Sequence, residues 1–163
     1  MELQQQSQKL SDYLKESQYV DYGSAVIKEK ADELFGSLSK DVDIIEVGYE
    51  FVRDKIFHSN DIGGHLITKK ASEVLQYKQG MCYAKTMLLA ALLRSKGIPT
   101  GFCYQSLAES DSKDCKHNIH ALNAVFITHL QQWVRVDPRG NIGERNAQFY
   151  PDEPMREQLV YLV

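Results

Sequence analysis

The sequence predicts an α+β fold in which N-terminal helices and one central buried helix pack on an antiparallel sheet, and three observations carry that expectation. Residues 24–96 place apolar side chains at helical spacing, broken by glycine-bearing polar stretches. Residues 101–137 change grammar and alternate as strands. Between them lies Met87-Leu88-Leu89-Ala90-Ala91-Leu92-Leu93, apolar on every side, which suits a helix enclosed by other elements. Helices first and an antiparallel sheet after is an α+β order.

The elements follow in chain order. Residues 2–18 are polar and glutamine-rich, with Leu3, Leu10, Tyr13 and Leu14 as their apolar members, a sparse pattern that reads as a weak helix or docking arm. Ser24 is placed to cap a helix that runs through Phe35 and stops at Gly36. Asp41 is placed to cap the next, which runs to about Phe57 with Ile44, Ile45, Val47, Phe51, Val52 and Ile56 on its apolar side. His58 to His65 is a polar connection with Gly63-Gly64 and two histidines that could line a site, yet loops of this composition are usually connections, so neither histidine is assigned a role. Lys69–Gln76 is a short helix with Val74 and Leu75 inward, and Gly80 leads into the central helix.

That helix runs from Met81 to Lys96 without glycine or proline and ends at Gly97 with Pro99 beyond. Strands follow at Gly101–Leu107, Ile119–Thr128 and Gln132–Asp137, separated by a charged loop over 108–116 and a turn near His129, and closed by Pro138-Arg139-Gly140-Asn141. The tail from Pro151 carries two prolines among acidic residues and ends in a strand-like apolar run.

Length and composition bound the functional classes. The 163 residues suit one domain over 1–163, with residues 1–20 as a loosely docked arm, and no repeat or linker divides the chain. A net charge of −3 with scattered lysine and arginine gives no electrostatic footprint for nucleic acid or an anionic membrane, and neither is expected as a partner. The N-terminus lacks an apolar run of signal-peptide length, so a cytoplasmic protein is expected. Three cysteines, Cys82, Cys103 and Cys115, match neither a disulfide framework nor a paired metal motif.

Cys82 stands in the first turn of the central helix, where unpaired backbone N–H groups and the positive end of the helix dipole favour a thiolate. His120 and Asp137 lie seventeen positions apart across the presumed hairpin. A turn of even length, such as Thr128 to Gln131, puts them on one sheet face, opposite or one step diagonal, with Cβ atoms within about 5 to 8 Å. With that face toward the N-terminus of the Cys82 helix, the three supply nucleophile, base and orienter.

His117 is the rival base, but parity sets it opposite to His120 and nearer the loop. Cys115, His117 and His120 form only a weak metal pattern without a second paired set. Cys103 reads as core, and Trp133, on the Asp137 face, as an aromatic over the site or as plain core. The Cys82 N–H is one candidate oxyanion donor, with Gln76 or Tyr77 as the second.

The segment KASEVLQYKQGMCYAKTMLLAALLRSKGIPTGFCY resembles the nucleophile region of transglutaminase-like, papain-type proteins, in which G-x-C opens a long buried helix ending in R-x-x-G-I-P. HALNAVFI and WVRVDPRGN are similar to that family's histidine and aspartate strands, and EFVRDKIFHSND to its preceding helix, so the resemblance covers about residues 45–141. It implies a transglutaminase-like, papain-like core with Cys82 as nucleophile, His120 as base and Asp137 as orienter. Leu122 and Ala124 depart from the common form, where an aromatic and an acidic residue are frequent.

The function expected is thiol-dependent acyl transfer on an amide- or peptide-containing substrate, through an acyl-enzyme and without metal or cofactor. The approach to the cysteine, Lys78-Gln79-Gly80, differs from the arginine-glycine-glycine expected of an arylamine-type acyltransferase. A non-catalytic binding module on the same fold is the alternative, and the presence of all three triad residues argues against it.

Overall fold

The computed structural model describes residues 4–108 and 117–161. Most of the loop expected over 108–116, with Cys115, lies outside these residues. The element order is a 3₁₀ turn at Leu10–Leu14, then α1 (Ala25–Phe35), α2 (Asp41–Lys55), β1 (Phe57–His58), α3 (Ala71–Tyr77), β2 (Gln79–Gly80), α4 (Cys82–Ser95), β3 (Thr100–Ala108), β4 (His117–Ile127) and β5 (Gln132–Val136).

α4 is the centre of the molecule. It packs on α1, α2 and α3 on one side and on β3 and β4 on the other. Leu88, Leu89, Leu92 and Leu93 are fully buried, each contributing roughly 1.5–3 kcal/mol of apolar transfer. Its end is set by Gly97, whose φ of 78° lies in the left-handed region that reverses the chain toward Pro99.

The two helix starts differ from expectation in one detail each. Ser24 occupies the N-cap position of α1, yet its hydroxyl is buried and makes no capping bond. Asp41 is the first helical residue of α2 instead of its cap, and its carboxylate accepts both the Val42 N–H at 2.9 Å and, through Oδ2, the Thr128 N–H at 2.8 Å. That bond ties the start of α2 to the turn between β4 and β5.

β4 is the middle strand of an antiparallel sheet ordered β3-β4-β5. Val125, Ile127, Val134 and Val136 join the helical core, as does Asn123, whose amide donates to Thr86 O and Gly101 O at 3.2 Å each. The opposite face is covered from both ends of the chain. Tyr13 meets Trp133 edge-on at 4.8 Å, and Phe126 meets it at 5.3 Å. Arg135 pairs with Glu157 of the C-terminal segment at 2.6 Å. The strand-like tail is not a strand through Tyr161: its backbone is engaged by side chains, with Val160 N–H donating to the Asp137 carboxylate and Gln105 donating to Tyr161 O.

A second sheet was not foreseen. β1 and β2 form a two-residue parallel pair, Phe57 opposite Gln79 and His58 opposite Gly80. The connection expected at His58 therefore starts inside a sheet beside the N-terminus of α4.

Candidate active site

Cys82 opens α4 after Met81, whose backbone is extended and supplies no side-chain cap, so the first-turn N–H groups face the thiol region uncapped by side chains. His120 is carried by β4, and the register Asn123 opposite Val136, continued one residue, sets Leu122 opposite Asp137. His120 and Asp137 are then one diagonal step apart, across a turn of four residues from Thr128 to Gln131. His120 Nε2 lies 2.9 Å from Asp137 Oδ2, and both side chains are buried. With Nε2 engaged by the carboxylate, Nδ1 is the nitrogen left for the thiol.

Asp137 is held from several directions. Its Oδ1 accepts the Arg139 N–H and its Oδ2 the Val160 N–H, both at 3.2 Å. Tyr49 of α2 brackets its backbone, with Oη 3.2 Å from Asp137 O and 2.8 Å from Ala147 O. The Tyr161 ring meets His120 edge-on at 4.9 Å.

The electrostatics follow from this frame. Burial works against the Cys82 thiolate, but hydrogen bonding from His120 and His58 and from the Ala121 backbone outweighs it and brings the thiol from 9.0 down to about 6. Burial would also lower His120, yet its bonds to Asp137 and Cys82 raise it from 6.5 to about 9. Between those values the pair rests as thiolate and imidazolium, and the two titrations belong to the pair.

Three expected site residues lie elsewhere. Gln76 and Tyr77 are exposed at the end of α3, where Lys78 (φ 53°) turns the chain into β2. Trp133 shares the Asp137 sheet face, but four residues of strand, about 13 Å, separate them, and its ring packs on Tyr13 and Phe126 instead. His117 has its Nδ1 3.1 Å from Ser106 Oγ. His65 is exposed. Among the described residues no cluster of histidine, cysteine and acidic side chains is arranged to hold a metal.

Two buried neighbours of the candidate site were given no role by the sequence. His58, read as part of a connection, is buried opposite Gly80, and its imidazole favours the Cys82 thiolate. Lys85, one turn after Cys82, is buried with Nζ 2.5 Å from Ile56 O, 2.9 Å from Arg139 O and 3.3 Å from Arg53 O. A lone lysine in an otherwise apolar helix was the available signal for the second. For His58 the signal was its place in the segment resembling the helix before the site.

The comparisons with known proteins agree with this architecture. A cysteine protease from Cytophaga hutchinsonii, so described only provisionally, superposes with a TM-score of 0.63 at 17% identity, covering 82% of this chain and 43% of that one. The periplasmic domain of TgpA from Pseudomonas aeruginosa does so with a TM-score of 0.57 at 18% identity, covering 79% and 46%. At these identities the likeness is one of fold, and the chain spans less than half the length of either structure. No curated protein matches the sequence. The transglutaminase-like superfamily core, however, matches residues 28–138, from α1 through Asp137. A match over that much of the sequence, on a fold its solved neighbours share, makes the chain a member of the transglutaminase-like superfamily.

Proposed function

We propose that the protein is a cysteine-dependent acyl-transfer enzyme that cleaves or transfers the acyl group of an amide or peptide through Cys82, His120 and Asp137. The observation that carries this reading is the buried His120–Asp137 pair at 2.9 Å acting on a thiol at the N-terminus of a buried helix. The Cys82 thiolate attacks the carbonyl carbon, and the oxyanion forms beside the Cys82 N–H, an unpaired donor of the first helical turn. The His120 imidazolium then gives its Nδ1 proton to the departing amine, leaving a thioester on Cys82 and a neutral imidazole. Water, or a second amine, loses a proton to that imidazole as it attacks the thioester, and the collapse restores thiolate and imidazolium. Asp137 fixes the ring through Nε2 and stabilises its cationic form. Hydrolysis is the preferred outcome, because no amine-binding groove is evident from the sequence.

The test is the rate of iodoacetamide labelling at Cys82 from pH 4 to 10, read by peptide mass spectrometry for the wild type, His120→Ala and Asp137→Ala. The expected midpoint is about 6 in the wild type, and it moves toward the ordinary thiol value of about 8.5 in both variants. An inert Cys82, or one that titrates as an ordinary thiol regardless of His120, sinks the enzyme and favours a binding module on the same fold.

A further inference from the structure

Two imidazoles favour the Cys82 thiolate, His120 and the buried His58 that pairs beside Gly80 just before it, and the acyl-transfer cycle above uses only one. We propose that His58 is a second catalytic imidazole, which donates its N–H to the oxyanion of the tetrahedral intermediate and so completes the oxyanion hole begun by the Cys82 backbone. This rests on the acyl-transfer reading and adds to it a residue outside the Cys-His-Asp set.

The position of His58 is fixed by backbone pairing. β1 lies beside β2 with His58 opposite Gly80, two residues before Cys82, and the pair is closed by Phe57 N–H to Lys78 O at 2.9 Å and Ser59 N–H to Gly80 O at 3.1 Å. Asp61 N–H returns to His58 O at 2.9 Å and Gly64 N–H to Ser59 O at 2.8 Å, so the following turn is closed as well. The His58 side chain is 5% exposed, and its imidazole helps to hold the Cys82 thiol below its ordinary value.

What His58 lacks separates its role from that of His120. A general base of this kind needs an acceptor on its far nitrogen to orient it, and His120 has Asp137 at 2.9 Å. Among the described residues His58 Nδ1 is buried without a hydrogen-bond partner, and the carboxylate beside it, Asp61, stands at 4.0 Å. Asp61 is committed elsewhere, in a two-pronged pair with Arg139 at 2.6 and 2.7 Å. Among the described residues no group is therefore placed to orient His58 for proton shuttling, while its buried seat opposite Gly80, two residues before Cys82, is placed for donation. The oxyanion forms on the carbon that bonds to the Cys82 sulfur, so a buried donor that favours the thiolate in the resting enzyme is within reach of the oxygen. Gln76 and Tyr77, the sequence candidates for this duty, are exposed.

The Asp61–Arg139 pair supplies the remaining requirement, a common frame. Arg139 follows Asp137 by two residues and Asp61 follows His58 by three, so one ion pair couples the loop behind the base to the turn behind the donor. Preorganised donors act only when held in place before charge develops.

The experiment compares two probes on the full chain, iodoacetamide and 4-nitrophenyl acetate, for the wild type, His58→Ala and His58→Gln. Limiting rate constants are taken above the thiol midpoint of each protein, with labelling read at Cys82 and nitrophenolate release corrected with Cys82→Ala. Alkylation passes through no oxyanion, whereas acetylation does. The expected result is an acetylation rate at least about tenfold lower in His58→Ala, with the limiting alkylation rate within about twofold of wild type. His58→Gln, which keeps a side-chain N–H, recovers a large part of the lost acetylation and guards against a folding defect in the alanine variant. Parallel loss of both reactions, or no loss in either, overturns the proposal, as does wild-type acetylation no faster than that of a free thiol of equal acidity. A wild-type Cys82 with an ordinary thiol profile overturns instead the acyl-transfer reading beneath it.

Discussion

Replacing Lys85 with methionine tests how the site is held. The methionine keeps most of the stem's volume and removes the ammonium, leaving Ile56 O, Arg139 O and Arg53 O without the donor they share. Two of these carbonyls belong to the end of α2, so Lys85 acts as its C-terminal cap by donating to them. An orphaned buried acceptor costs about 1–3 kcal/mol, and relief from burying a cation offsets part of the sum, so the net loss is about 3 kcal/mol. In urea this moves the midpoint down by about 1.5 M.

The pH dependence gives a second readout. Burial, first, and Arg139 push Lys85 from 10.5 down to about 7. Between those values the unfolded chain binds a proton that the native state does not, so native stability rises with pH through that window, by up to roughly 1.4 kcal/mol per pH unit. Cys82, lowered to about 6, also makes stability rise with pH up to 9.0, while His120, raised to about 9, makes it fall from 6.5 upward. These two slopes oppose each other, and the difference between wild type and Lys85→Met isolates the lysine. Urea curves from pH 6 to 10 should therefore diverge with rising pH. Coincident midpoints refute the tie, and parallel pH slopes refute the burial-driven titration.

Three further outcomes are expected. Asp137→Asn removes the carboxylate from His120 Nε2, so the imidazolium is no longer favoured and the Cys82 labelling midpoint climbs by about one pH unit or more; an unmoved midpoint would show that Asp137 does not tune the pair. Gly80→Ala brings a Cβ to 2.9 Å from Ala84 Cβ and 3.0 Å from Thr68 Oγ1, which must part β2 from the first turn of α4, and a thermal melt should register a loss of about 1–3 kcal/mol. Arg139→Met cuts the ion pair to Asp61, and Cys82 acetylation should slow while overall stability, followed by the same melts, falls by less than in Lys85→Met; an unchanged acetylation rate argues against a shared frame.

The sequence made the helices and the main sheet legible because their signals are local. α4 is announced by seven successive apolar residues and by Gly97, and β4 and β5 by alternation. The His120–Asp137 relation was legible because strand parity and a four-residue turn decide which face each side chain takes. Parity gives the face and not the distance along it, which is why Trp133 shared a face with Asp137 yet lies against Tyr13 at the other end. The β1–β2 pair was not legible, since two residues show no period and their partners stand twenty-two positions away. His58 was hidden with it.

The parts of the site that sequence hides are also those that hold it together. Cys82 and Lys85 ride on α4, His120 on β4, His58 on β1, and Asp137 and Arg139 on the turn after β5. No local propensity fixes these elements relative to one another. Three long-range ties bear on that arrangement: Arg139 to Asp61, Lys85 to the carbonyls of Arg53, Ile56 and Arg139, and Val160 to Asp137. Arg139 enters two of them, by its guanidinium and by its carbonyl, so a single residue joins the turn after His58, helix α4 and the turn that carries Asp137. Lys85→Met cuts the Arg139 carbonyl tie and Arg139→Met the guanidinium tie. If the frame is shared, their effects on Cys82 acetylation should fall short of additive when combined, because either loss frees the same turn. Strict additivity would mean that the two ties act on separate parts of the site.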